Sequence, residues 1–113
     1  MRISMKGRHF AVDDELRERV ERKAEKIARQ VSPLAQLEVE LIEERNPAIS
    51  EAHVAEATLY LKGVTLRASE RAEDMGHAVN LMTEDLARQV KRHREKLRGR
   101  RKGAKEAPRI AGL

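Results

Sequence analysis

Six apolar residues late in the chain, Met75, Val79, Met82, Leu86, Val90 and Leu97, recur at spacings of three, four and seven. At about 100° per residue they share one stripe of an α-helix. A helix with one apolar stripe needs a second layer to cover it. A chain of 113 residues has room for one small domain, so the upstream sequence has to supply that layer.

Upstream, the period alternates between that of a strand and that of a helix. Ile3 and Met5 alternate with Arg2, Ser4 and Lys6 as a short half-buried strand, which Gly7 ends. Asp13 is placed as an N-cap, with Asp14 and Glu15 in the first turn of a helix running from about Asp14 to Gln30. Leu16, Val20, Ala24, Ile27 and Val31 form its buried stripe, and Ser32-Pro33 stops it. From Leu37 the period is two: Leu37, Val39 and Leu41 face one way, and Glu38, Glu40 and Ile42 the other. After Asn46-Pro47 and a polar loop, Ala55, Ala57, Leu59 and Leu61 mark a third strand, and Lys62-Gly63 turns it into a fourth carrying Val64, Leu66 and Ala68. The last helix then begins near Ala72, with Glu70, Glu73 and Asp74 at its positive end. The order β-α-β-β-β-α predicts an α+β two-layer sandwich, a four-stranded sheet with both helices on one face. Residues 1–98 make the domain; Gly99 to Leu113, with two further glycines and Pro108, reads as a basic flexible tail or the start of a linker.

Charge is distributed unevenly over this frame. Arg88 to Lys105 holds ten Lys and Arg against the single acid Glu95, whereas Met1 to Ala87 holds thirteen bases against seventeen acids. Complementing the helix dipole accounts for a few cations in the last turn. This run covers about three turns and more, repelling itself at low salt, so it points to a polyanionic partner. With Phe10 and Tyr60 the only aromatics, base stacking has little to work with, and contact falls on phosphates and shape. The same scarcity speaks against an interfacial membrane helix, and no apolar run approaches the roughly 18 residues of a membrane span. No secretory signal is visible and there are no cysteines, which fits a cytoplasmic protein.

Little in the chain suggests catalysis. His9, His53, His77 and His93 sit on separate elements without the spacing of a helical metal site. There is no phosphate-cradling glycine loop, no GxSxG and no cysteine nucleophile, so neither an enzyme nor a cofactor is expected. Taking Met75 as the buried reference, Arg88 and Lys91 lie nearly opposite it and Arg92 and Arg98 flank them, facing solvent or a partner. Lys23, Lys26 and Arg29 would join the same patch if the helices lie side by side; pairing with nearby glutamates on their own helix is the plainer alternative.

Val64 to Ala68 with Ser69, then Glu73-Asp74-Met75, Ala78-Val79, and Leu86-Ala87-Arg88-Gln89 running into Lys91 to Leu97, together resemble the ribosome hibernation-promoting factor and ribosome-associated inhibitor family. The resemblance covers about residues 1–98, including Lys6-Gly7 and the Leu16, Arg17, Val20 and Lys26 register. It implies a fold that docks on the small ribosomal subunit, among 16S-type rRNA and neighbouring ribosomal proteins, in the channel of messenger RNA and the A-site and P-site transfer RNAs. There it would block translation and keep idle ribosomes intact in stress or stationary phase. By position it assigns RNA contacts to Lys23, Lys26, Arg29, Arg88, Lys91, Arg92, Arg94, Lys96 and Arg98. Gly76 stands where the family commonly has Tyr, at a propensity cost of roughly 1 kcal/mol against Ala. Long members continue through a linker into a dimerisation domain, so this chain is expected to act as a monomer that does not pair ribosomes by itself. Two other readings stand beside it: a general double-stranded RNA-binding domain, which also packs two helices on one face of a sheet, and a protein-interaction module using Glu38, Glu40, Glu43 and Glu44 to hold a basic partner.

Overall fold

The computed structural model describes the backbone of residues 1–111 and the side chains of residues 1–99. The side chains of Arg100, Arg101, Lys102 and Lys105, counted above in the basic run, lie outside the described residues. The elements are β1 (Arg2–Arg8), α1 (Asp14–Ala28), β2 (Gln36–Glu43), β3 (His53–Leu61), β4 (Val64–Ala72) and α2 (Met75–Ala111), in the β-α-β-β-β-α order that the periodicity predicts. The sheet order is β1-β2-β3-β4. β1 pairs parallel to β2 across the α1 crossover, and the other two pairs are antiparallel. Each helix follows one of two parallel strands and returns antiparallel to it, so α1 and α2 run in the same direction.

The core is the layer the α2 stripe called for. Met75, Val79, Met82, Leu86 and Val90 are all buried to 5% exposure or less, together with Val20, Ala24 and Ile27 of α1 and the inward residues Leu37, Val39, Leu41, Ala55, Ala57 and Leu59. Each Val, Leu, Ile and Met side chain among them contributes roughly 1.5–3 kcal/mol of transfer free energy. Leu97, the last member of the stripe, is 39% exposed, because α2 outruns the sheet that covers it. Gln89 ties the helix to the edge strand, its Nε2 donating to the Arg67 carbonyl at 2.7 Å.

Several boundaries differ from the sequence reading, each for a local reason. Gly7 does not end β1; it pairs with Leu41 inside the strand. A Cβ at Gly7 would collide with the Phe10 carbonyl, and the chain turns instead at His9, whose φ is 55°. α1 stops at Ala28 with Arg29 as C-cap, two residues before Gln30; its start is as expected, with the Leu16 N–H donating to Asp13 Oδ1 at 2.8 Å. β4 runs through Ala72, so Glu70 belongs to the strand and α2 starts at Met75. Of the three acids assigned to the helix start, Asp74 is the one that caps it, accepting the His77 N–H at 2.8 Å. At the other end α2 continues past Gly99 to Ala111, where an irregular tail was expected.

Candidate nucleic-acid interface

The site is built where α1 and α2 lie side by side. On α1, Arg19, Lys23 and Lys26 are spaced four and three, so they share one flank of the helix, about 90° from its buried stripe, and Gln30 follows just past its C-cap. Glu18, Glu21 and Glu25 fall on another face, near Ile3 of β1. α1 therefore keeps Arg19, Lys23 and Lys26 on the side of α2 and Glu18, Glu21 and Glu25 on the side of the sheet edge, with Arg22 lining both hollows. On α2 the flank that meets them carries Gly76, Asn80, Lys91, Arg94 and Arg98. Contacts at two points fix the alignment. The Arg19 guanidinium lies over Gly76, and Arg94 Nη1 donates to Gln30 Oε1 at 3.2 Å. Between them a cleft of about 380 Å³ is lined by Arg19, Arg22, Lys23, Lys26 and Asn80.

The nine residues expected at the interface are not equivalent. Lys23 and Lys26 stand in the cleft. Arg29 does not join them; it falls on the acidic side and pairs with Glu25 at 3.2 Å. Arg88 pairs with Asp85 at 3.8 Å, and Arg94 is half-buried against Gln30. Among the described residues Lys23, Lys26, Lys91, Arg92, Lys96 and Arg98 have no ion-pair partner. Arg92 and Lys96 sit on the flank of α2 turned away from α1, so the basic surface wraps the end of the helix. Pairing within α1, the plainer reading of its cations, is realised only at Arg29.

Arg19, Arg22 and Asn80 were missed by sequence reasoning. The four-three spacing was a usable signal for the flank, but knowing that this flank faces α2 requires the parallel alignment of the helices. The acidic outer strands are also clearer in three dimensions. Arg8 Nε and Lys6 Nζ close on Glu40 at 3.0 and 3.7 Å. Tyr60 donates to Glu38 at 3.2 Å, Arg71 meets Glu44 at 3.4 Å, and His53 lies 4.0 Å from Glu43. Each of the four glutamates proposed to hold a basic partner thus already has a partner in its own chain. Among the described residues no group of three or more His, Asp or Glu could hold a metal ion, and no helix is long and apolar enough to cross a membrane.

The profile of the family described as Sigma 54 modulation protein / S30EA ribosomal protein matches residues 3–98. The chain belongs to this family. It is 31% identical over 98 residues to the ribosome hibernation promoting factor of Salmonella typhimurium, covering 87% of this chain and 98% of that one. It is 30% identical over 107 residues to the ribosome hibernation promotion factor of a Picosynechococcus strain, covering 94% of this chain but 55% of that longer protein. Among solved structures, the N-terminal domain of Protein Y from Thermus thermophilus aligns with a TM-score of 0.70 at 26% identity, covering 82% of this chain and 99% of that one. A ribosomal subunit interface protein from Coxiella burnetii, at TM-score 0.68 and 21% identity over 84% of this chain and 99% of that one, shares the fold.

Proposed function

We propose that this member of the family is a ribosome hibernation factor of the cytoplasm. It binds the small ribosomal subunit through rRNA phosphates, occupies the channel of messenger RNA and transfer RNA at the decoding centre, and inhibits translation by steric exclusion while idle ribosomes are preserved under stress. Residues 1–98 form the ribosome-binding unit, acting as a monomer. The relatives named as hibernation factors support the role. The observation that carries the surface is the parallel pair of helices, whose facing flanks carry Lys23, Lys26, Lys91 and Arg98, none with an ion-pair partner among the described residues. Cations left in that state gain from displacing counterions on a polyanion, and a rigid pair of helices supplies the shape fit that distinguishes one RNA groove from another.

The test is co-sedimentation of the purified chain with small ribosomal subunits over a salt series, with free duplex RNA as competitor. Retention near physiological salt despite the competitor, and loss when messenger and initiator transfer RNA are preloaded, is the expected result. Stripping by duplex RNA at equal phosphate concentration would favour the general double-stranded RNA-binding reading instead. Replacing Arg88, Lys91 and Arg92 together by Ala leaves the core untouched, since all three are exposed. That variant should bind subunits roughly tenfold or more weakly, with a flatter salt dependence; unchanged binding would remove the surface from consideration.

A further inference from the structure

The two edges of the sheet are finished differently. At β4, Gln89 of α2 covers the Arg67 carbonyl at 2.7 Å. β1 has no such cover. Arg2 donates to the Ala35 carbonyl at 2.9 Å, and bonding to one neighbour alternates along a strand, so Arg2, Ser4, Lys6 and Arg8 bond β2. Ile3, Met5 and Gly7 aim their N–H and C=O groups away from the sheet, and among the described residues none of these groups has a hydrogen-bond partner. Free edge groups of this kind are a template for one more strand.

What lies beside that edge selects the strand that fits it. A hollow of about 500 Å³ between β1 and α1 is lined by Ile3, Glu18, Glu21, Arg22, Glu25 and Ala28. Half-buried Ile3 forms its β1 side, and its α1 side carries three carboxylates against the one guanidinium of Arg22. Glu18 and Glu21 have no ion-pair partner among the described residues, and Glu25 holds Arg29. An added strand alternates its side chains between the two faces of the sheet. Those on the helix side enter the hollow, where a lysine lays its apolar stem on Ile3 and its ammonium among the glutamates. Those on the open face lie beside Arg2, Ser4, Lys6 and Arg8, where further cations are repelled. The same row of cations argues against a second copy of β1 as the occupant. Two β1 strands side by side would set Arg2, Lys6 and Arg8 against one another, and like charges across a strand pair destabilise it.

We propose that the free edge of β1 and the acidic flank of α1 dock an extended basic polypeptide segment of a partner protein. The segment adds as a fifth strand, with lysine or arginine at alternate positions turned toward α1 and uncharged or acidic residues between them. This site lies on the other side of α1 from the flank that faces α2, and the proposal goes beyond the rRNA reading without depending on it. The test uses the isotopically labelled full chain and a short capped peptide that alternates lysine with threonine. The control peptide has the same composition with its lysines consecutive. Amide hydrogen exchange is followed by NMR with and without peptide. In the free chain the Ile3 and Met5 amides should exchange fast and those of Ser4 and Lys6 slowly. Saturation with the alternating peptide should slow the Ile3 and Met5 amides about tenfold or more. In fluorescence anisotropy the alternating peptide should bind about tenfold or more tightly than the control, which carries the same charge. Glu18→Gln, Glu21→Gln and Glu25→Gln together change three exposed side chains. That variant should keep the circular dichroism of the parent and bind the peptide about tenfold more weakly. Unchanged exchange of the edge amides at saturation, equal affinity for the two peptides, or unaltered affinity in the glutamine variant would each overturn the proposal. Edge amides that slow with rising protein concentration in the absence of peptide would give the edge to a second copy, and would overturn it as well.

Discussion

On the open face of the sheet, Lys6 and Arg8 both close on Glu40, Arg71 on Glu44, and the Tyr60 hydroxyl on Glu38. Across the molecule, where α1 and α2 face each other, Lys23, Lys26 and Lys91 have no such partner among the described residues. The chain has acids enough to neutralise these lysines, but α1 turns Glu18, Glu21 and Glu25 the other way. Exposed pairs add little, about 0–1 kcal/mol each, so the sheet face gains modest stability and loses reach toward outside ions. The helical face gives up that small gain and keeps its charge available. The two faces differ in which of their charges the fold leaves unpaired.

The contrast can be broken most severely by reversing the unpaired charges. If the proposed surface is right, Lys23→Glu, Lys26→Glu and Lys91→Glu together replace three phosphate-facing cations with repulsion, and subunit affinity in co-sedimentation should fall about 100-fold or more. A loss below tenfold would mean that the helical face is no more an interface than the sheet. The matching change on the sheet, Lys6→Ala with Arg8→Ala, should lower unfolding stability in urea by less than about 1 kcal/mol. Its subunit affinity should stay within about twofold of the parent, and a larger drop would extend the interface to β1. The smallest effect sharpens the boundary within α1 itself. Glu25→Gln frees Arg29 from its one partner at a cost of about 0.2–0.5 kcal/mol, and titration by fluorescence anisotropy should show less than a twofold rise in affinity for a short rRNA fragment. A rise of tenfold would show that the pair was holding Arg29 away from the RNA.

The fold was largely legible because its signals are periodic. The α2 stripe, the Asp13 cap, the alternation of β2 to β4 and the left-handed Gly63, whose φ is 80°, all act over a few residues. What was not legible depends on distant neighbours. Ile42 and Val54 are buried although they point to the open face, opposite each other in the row that runs from Arg8 to Arg71; alternation alone assigned Ile42 to an acidic face. Gly7 looks like a turn glycine until the Phe10 carbonyl is seen in the place of its side chain. At the site, Lys23 and Lys26 could be chosen by charge and the Glu25–Arg29 pair by its spacing of four, but the placing of Arg19 and Asn80 beside the lysines follows from the helices running in the same direction. No local period encodes that direction; it comes from β1 and β4 being parallel members of one sheet.

The unpaired lysines between the helices have a consequence for the lifetime of the molecule as well. A ligand that fills the groove binds the native chain and not the unfolded one, so occupancy adds directly to stability, by about 2.7 kcal/mol when the ligand stands at 100 times its Kd. Folding and docking thus become a single equilibrium. A copy holding such a ligand at that concentration would visit the open, protease-sensitive state about a hundred times less often than a copy in free solution.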